Sequence, residues 1–264
     1  MLRSGYWCEL TTRDFARVDR ERTIALLPVA AVEQHGPHLP LATDAIINAG
    51  IVARALALGV PGVTMLVLPA QDVGHSLEHT AFAGTLSVDA RTLLDAWQEL
   101  GRGVARAGVR KLVVLNSHGG QGALVDLLAV RLRAESGLLV ARANTWRLGT
   151  PPGLFAVDEL AHGIHGGELE TSLLLHLRPD LVRREALADF AALSARWAAE
   201  GRTLGVEGQI GIGWMAQDLN PAGVCGNAAA ADAARGEQLL EHLAAALLNV
   251  VRDLAATPMS FIRR

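Results

Sequence analysis

Leu26-Leu27-Pro28-Val29-Ala30-Ala31-Val32-Glu33-Gln34-His35-Gly36-Pro37-His38-Leu39-Pro40-Leu41-Ala42-Thr43-Asp44 passes from an apolar run straight into a loop of ligand-type side chains. The run from Ile24 to Val32 is nearly continuous in apolar residues, as a central parallel strand should be. It ends on Glu33 and His35, and Asp44 follows after a proline-stiffened loop. Residues two apart on an extended segment face one side, so Glu33 and His35 point into a common space. A Glu, a His and an Asp converging beyond a strand suit a hard or borderline divalent cation. The plainer reading is a strand leaving the core through a polar loop, with Asp44 capping the next helix. Three ligand-type side chains in so short a stretch favour the metal.

Working outward, the chain alternates strands and helices. Ile47, Ile51, Ala55 and Leu58 recur at helical spacing after Asp44, and Gly59 stops that helix. A second strand is expected over 63–68. A helix is expected over 88–107, with Ser87 as N-cap. A third strand, 111–115, leads into Asn116-Ser117-His118-Gly119-Gly120, followed by a helix over 123–135 and a fourth strand over 138–143. Such alternation predicts an α/β fold with an open, mostly parallel sheet and helices on both faces. Ligands in these sheets sit beyond the carboxyl ends of the strands, where Glu33, His35 and His118 fall. Further on, helices are expected over 167–177, 185–200 and 228–255. The Gly-rich stretch 201–226 reads as a long functional or subunit-contact loop. Trp7 and Leu10 are expected to anchor the N-terminal segment.

The 264 residues are half apolar and 19% charged, which is ample material for a core. A net charge of -3 gives no electrostatic case for nucleic acid or an anionic membrane as partner. Lys111 is the lone lysine. Two cysteines, Cys8 and Cys225, make no disulfide framework. With no signal-peptide pattern and no bilayer-length apolar run, a cytoplasmic protein is expected. No Gly-x-Ser-x-Gly elbow is present and neither cysteine has an adjacent histidine, so covalent catalysis is set aside.

His118 follows a strand and precedes glycines, which reads as a ligand whose neighbours admit substrate close to the backbone. A nucleotide-phosphate loop is poorly supported there. His165, Glu168 and Glu170 open a helix, where acidic residues also complement the dipole. Beside Glu33, His35, Asp44 and His118 they are better read as part of a metal site. His75, Ser76 and His79 lie in a loop that could line the pocket. His176 is read as a packed core histidine. His38 could orient a ligand, contact substrate or stabilise its loop.

Glu33-Gln34-His35-Gly36-Pro37-His38-Leu39-Pro40-Leu41 with Thr43-Asp44 resembles the first metal-binding signature of the creatininase (creatinine amidohydrolase) family. The resemblance recurs at Asn116–Gly120 and at His165-Gly166-Gly167-Glu168-Leu169-Glu170-Thr171-Ser172, in the expected order over nearly the whole chain. It implies a single three-layer α/β domain over 1–264 and two divalent metal ions, zinc first, with manganese or iron as alternatives. It also implies hydrolysis of a C–N amide bond by a metal-activated hydroxide. A small amide (cyclic amide or formamide) is the expected substrate. A peptidase trimming a modified peptide and a non-catalytic binding module are the alternatives. A homo-oligomer, a hexamer by resemblance, is expected.

Carried over residue by residue, the resemblance gives Glu33, Asp44 and His118 to one metal and His35 to the other, with Asp44 bridging. His165 matches a proton-transfer histidine and Glu170 a nearby carboxylate with an orienting role. Three departures stand out, and one is that the peptide-processing members tend to carry a histidine where this chain has Glu168. Leu160–Ile164 lacks the tryptophan that creatininase has before its catalytic histidine, which argues against creatinine. Creatininase also completes its second metal with a glutamate where this chain has Gly120. Glu168, one helical turn after His165, is expected to replace that ligand.

Overall fold

The computed structural model describes residues 2–263. The apolar run quoted above becomes β2 (Thr23–Val29), buried at every position. It is the middle strand of a five-stranded parallel sheet with β1 (Gly5–Tyr6), β3 (Thr64–Val67), β4 (Lys111–Asn116) and β5 (Leu139–Asn144). The order is β1-β3-β2-β4-β5. In register, Val29 lies opposite Asn116 and Asn116 opposite Asn144, so β2, β4 and β5 end level.

Successive side chains of β2 divide between two cores, as the two-residue period of a strand requires. Ile24 and Leu26 pack with α1 (Thr43–Leu58), α5 (Glu168–Leu177) and α8 (Ala233–Ala256). Ala25, Leu27 and Val29 pack on the other face with α2 (Ala90–Arg106) and α3 (Gly122–Ser136). The result is the three-layer α/β architecture expected. No helix among the described residues is long and apolar enough to cross a membrane. Trp7 packs against the second core.

Several local expectations change. β2 stops at Val29 because the next residues turn to other partners: Ala30 N–H donates to Gln71 O, and Leu86 N–H donates to Val32 O. The N-cap of α2 is Asp89, whose carboxylate accepts from Arg91 and Thr92 N–H, while Ser87 Oγ accepts from Ser76 N–H. The helix expected over 185–200 shrinks to α6 (Leu193–Ala199). Before it, Asp189–Phe190 pairs antiparallel with Gly226–Asn227, a long-range contact that local periodicity does not show. A short helix, α4 (Val157–His162), lies in the expected loop before His165. His176 is exposed on α5, not packed in the core.

Candidate metal centre

The site lies beyond the carboxyl ends of β2 and β4. Asn48 on α1 fastens both strand ends, its amide donating to Val29 O and Leu115 O at 3.1 Å. Ser117 Oγ–H donates to Asp44 O at 3.0 Å, which fixes the first turn of α1 and its buried carboxylate. Gly36 has φ +69, and a Cβ there would fall on Val224 Cγ2, so only glycine lets the chain turn between His35 and His38. His38 Nε2 bonds Gly166 O and Thr171 Oγ1, both at 3.0 Å. It thereby stitches the first stretch to the His165 loop. Of the three roles left open, the structure supports the stabilising one.

Three histidines share one arrangement. His35 Nδ1–H donates to Glu33 O at 3.0 Å, His118 Nε2–H to His75 O at 2.9 Å, and His165 Nε2–H to Gln34 O at 2.7 Å. When each ring is neutral its other nitrogen carries the lone pair, and that nitrogen faces carboxylates. His35 Nε2 is 3.5 Å from Asp44 Oδ1 and 3.7 Å from Glu170 Oε2. His118 Nδ1 is 3.1 Å from Glu33 Oε1 and 3.5 Å from Asp44 Oδ2. His165 Nδ1 is 3.8 Å from Glu33 Oε1. Glu33 Oε2, His35 Nε2 and Asp44 Oδ2 are buried without a hydrogen-bond partner. Lone pairs facing carboxylates, with orphaned oxygens among them, call for a cation between them. Ligand atoms of Glu33, His35 and Asp44, and of His35, His165 and Glu170, lie within 4.8 Å of one another.

The electrostatics of the cluster are strained in the same sense. Burial, with Glu33 nearby, pushes the Asp44 carboxyl up, and burial pushes Glu170 up to about 7. Burial opposes a charged His35, but its bond to Asp44 and the charges of Glu170 and Glu33 raise it to about 9. Burial, helped by His35 and His79, holds His165 well below the usual imidazole range. Burial opposes a charged Glu33 too, yet His118 beside it holds the carboxyl well below the usual range.

Glu33, His35, Asp44, His118, His165 and Glu170 are thus brought together as the sequence predicted. Glu168 is not. It pairs with Arg235 of α8, and its N–H donates to Glu159 Oε1 at 2.6 Å, so it lies on the buried face of α5 turned toward α8. Two positions along a helix point in different directions, and Glu170, not Glu168, reaches His35. Sequence reasoning left His79 open. It is buried, its Nε2 is 3.5 Å from Glu33 Oε1, and its ring lies 4.3 Å from that of His165. Gln34 was missed as a site residue. Its amide donates to His79 Nδ1 at 2.8 Å and to Gly223 O at 2.7 Å, and neighbouring Glu33 and His35 masked it. Residues 201–226 do reach the site: Cys225 N–H donates to His165 O at 2.8 Å, and Trp214 meets the His79 ring edge-on.

The model of the creatininase family, described as creatinine amidohydrolase, matches residues 8–251. The chain belongs to the creatininase family. It is 33% identical to a mycofactocin precursor peptide peptidase of Mycobacterium ulcerans (strain Agy99), over 89% of this chain and 87% of the relative. It is 31% identical to a creatinine amidohydrolase of Pseudomonas putida, over 72% and 78%. A mutant creatininase of Zn-Zn type superposes with a TM-score of 0.75 at 26% identity, covering 96% of this chain and 98% of that one. The chain is therefore a creatininase-family hydrolase. Its relatives are named for a peptide peptidase and for a creatinine amidohydrolase.

Proposed function

We propose that this protein is a metal-dependent hydrolase of a C–N amide bond, working with two divalent ions, zinc first. The observation that carries this is the arrangement of His35, His118 and His165, each anchored by one ring N–H to a backbone carbonyl with its other nitrogen turned on buried carboxylates. Glu33, Asp44 and His118 would hold one ion. His35 and Glu170 would hold the other, with Asp44 shared. Glu170 thus takes the place first given to Glu168, because it is the carboxylate that faces His35. When bound, the pair supplies a nucleophile from water at neutral pH and polarises the amide carbonyl.

His165 takes a proton at Nδ1, being neutral at pH 7, and returns it to the leaving nitrogen. Its Nε2–H bond to Gln34 O keeps Nδ1 aimed inward. His79 and Gln34 close that flank of the pocket, and Trp214 covers His79.

The peptidase reading gains support from the relatives named for a peptide precursor, two of which share 37% identity over 67% of this chain. The small-amide reading rests on the creatinine amidohydrolase relative. A cytoplasmic homo-oligomer, a hexamer by family likeness, completes the proposal.

The test is metal content with an amide panel. Asp44→Ala and His118→Ala should each lose at least one ion per chain and nearly all amine release while circular dichroism stays native. Glu170→Gln should weaken the second ion, and Glu168→Gln should leave both in place. Full metal occupancy in His118→Ala would overturn the reading. The panel pairs cyclic amides and formamides with short peptides, and the faster class names the substrate.

A further inference from the structure

The side chain that Gly120 lacks leaves a space, and another residue fills it. A Cβ built on Gly120 would fall on Glu78 Oε1 and lie 2.8 Å from His118 Nε2. Glu78 Oε1 sits 3.4 Å from that nitrogen, on the ring edge opposite the Nδ1 that faces Glu33 and Asp44. Its side chain is only 15% exposed. Among the described residues no arginine or lysine pairs with it, and its carboxylate faces the imidazole of His118.

The loop that carries Glu78 is fastened from several sides. His75 N–H donates to Gln121 Oε1 at 3.1 Å, and Ser76 N–H donates to Ser87 Oγ at 2.9 Å. The His75 ring donates to Val88 O at 2.9 Å. Leu77–His79 then makes one 3-10 turn. Leu77 is left outside while Glu78 and His79 are brought to the two sides of the His118 ring. The His75 carbonyl and the Glu78 carboxylate therefore reach His118 Nε2 from one anchored segment.

We infer that Glu78 is a positioning residue of the metal centre: it occupies the volume left open by Gly120 and, with the His75 carbonyl, holds His118 by Nε2 so that Nδ1 is presented to the ion. This rests on the proposed function, since it takes His118 as a ligand. A carboxylate beside the outer N–H of a ligating histidine fixes its tautomer and ring orientation and makes the inner nitrogen a better donor. Gly120 and Glu78 form one device. Any side chain at 120 would evict the carboxylate.

Zinc affinity by chelator competition, together with the melting temperature of the metal-free protein, tests this. Glu78→Ala should weaken zinc binding by about 10–100-fold. Gly120→Ala should weaken it similarly by displacing the carboxylate, and the double variant should be no worse than either single one. Glu78→Gln, nearly isosteric and safe for folding, should fall in between, since it keeps a contact and loses the charge. The metal-free melting temperature of Glu78→Ala should stay near that of the parent, which a merely structural role would not allow. Unchanged zinc affinity in Glu78→Ala and Glu78→Gln would overturn the inference, as would additive losses in the double variant. His118→Ala separates the two failures. If it binds zinc as the parent does, the ligand assignment itself fails. If it loses zinc while Glu78→Ala does not, the positioning role alone fails.

Discussion

β4 carries a buried cation at one end and a buried histidine at the other, and the two are treated in opposite ways. Lys111 opens the strand with no exposure to solvent. Its Nζ donates to Glu21 O at 2.8 Å and Ala255 O at 3.0 Å, with Glu21 Oε2 at 3.3 Å, so the buried ammonium is both hydrogen-bonded and paired. His118 follows the strand's other end, and the carboxylates its Nδ1 faces keep buried oxygens without partners, Glu33 Oε2 and Asp44 Oδ2. A buried charge that is hydrogen-bonded and paired holds structure together, here the N-terminal segment and the end of α8. Buried polar atoms left open cost stability, and they persist where something else completes them.

The sharpest way to break this comparison is at the histidine that moves protons. His165→Ala should keep both ions and lower turnover by about 10²- to 10⁴-fold. Loss of an ion would make His165 a ligand. At the other end, Lys111→Ala should cost about 2–4 kcal/mol in urea unfolding, because the carbonyls of Glu21 and Ala255 lose their donor and the packed stem is removed. Its metal content should not change. A Lys111→Ala variant as stable as the parent would remove the contrast between the two ends.

Acid should act on the metal end. In the metal-free protein Glu170 sits at about 7 and His35 at about 9, and both must be deprotonated to bind an ion. Affinity should therefore rise between pH 6 and 9, by up to about tenfold per pH unit for each proton released, and flatten above. Calorimetry in buffers of different ionisation enthalpy counts those protons. An affinity that does not change over this window would contradict the placement of both groups at the ion.

The smallest effect is on the metal-free fold. Asp44 has its folded pKa raised above the ordinary value, so its charge destabilises the native state at neutral pH and that penalty disappears as pH falls below the ordinary carboxylate range. Asp44→Asn should accordingly raise the stability of the metal-free protein while abolishing one ion site. Urea midpoints with and without zinc separate the two effects.

Much of this was legible in the chain itself. The unbroken apolar run ahead of Glu33 placed β2 at the centre of a parallel sheet, and the two-residue spacing of Glu33 and His35 put both into one space. Short-range periodicity was equally sufficient for α1, α3 and β4. It failed over 185–200, where the pairing of Asp189–Phe190 with Gly226–Asn227 overrides local helical spacing. It also failed for His176, which a helical apolar run suggested was inside and which the packing of α5 leaves outside.

The sequence by itself determined the donor types, their order and the strand ends that carry them, because strand period and ligand chemistry are local properties. Only the tertiary structure decided between Glu168 and Glu170. Both open the same helix, and the choice depends on Arg235 of α8 taking one and His35 taking the other. It likewise brought His79 and Glu78 to His118 from a loop about forty residues away, a convergence set by how the β3–α2 connection packs against the residues that follow β2 and β4.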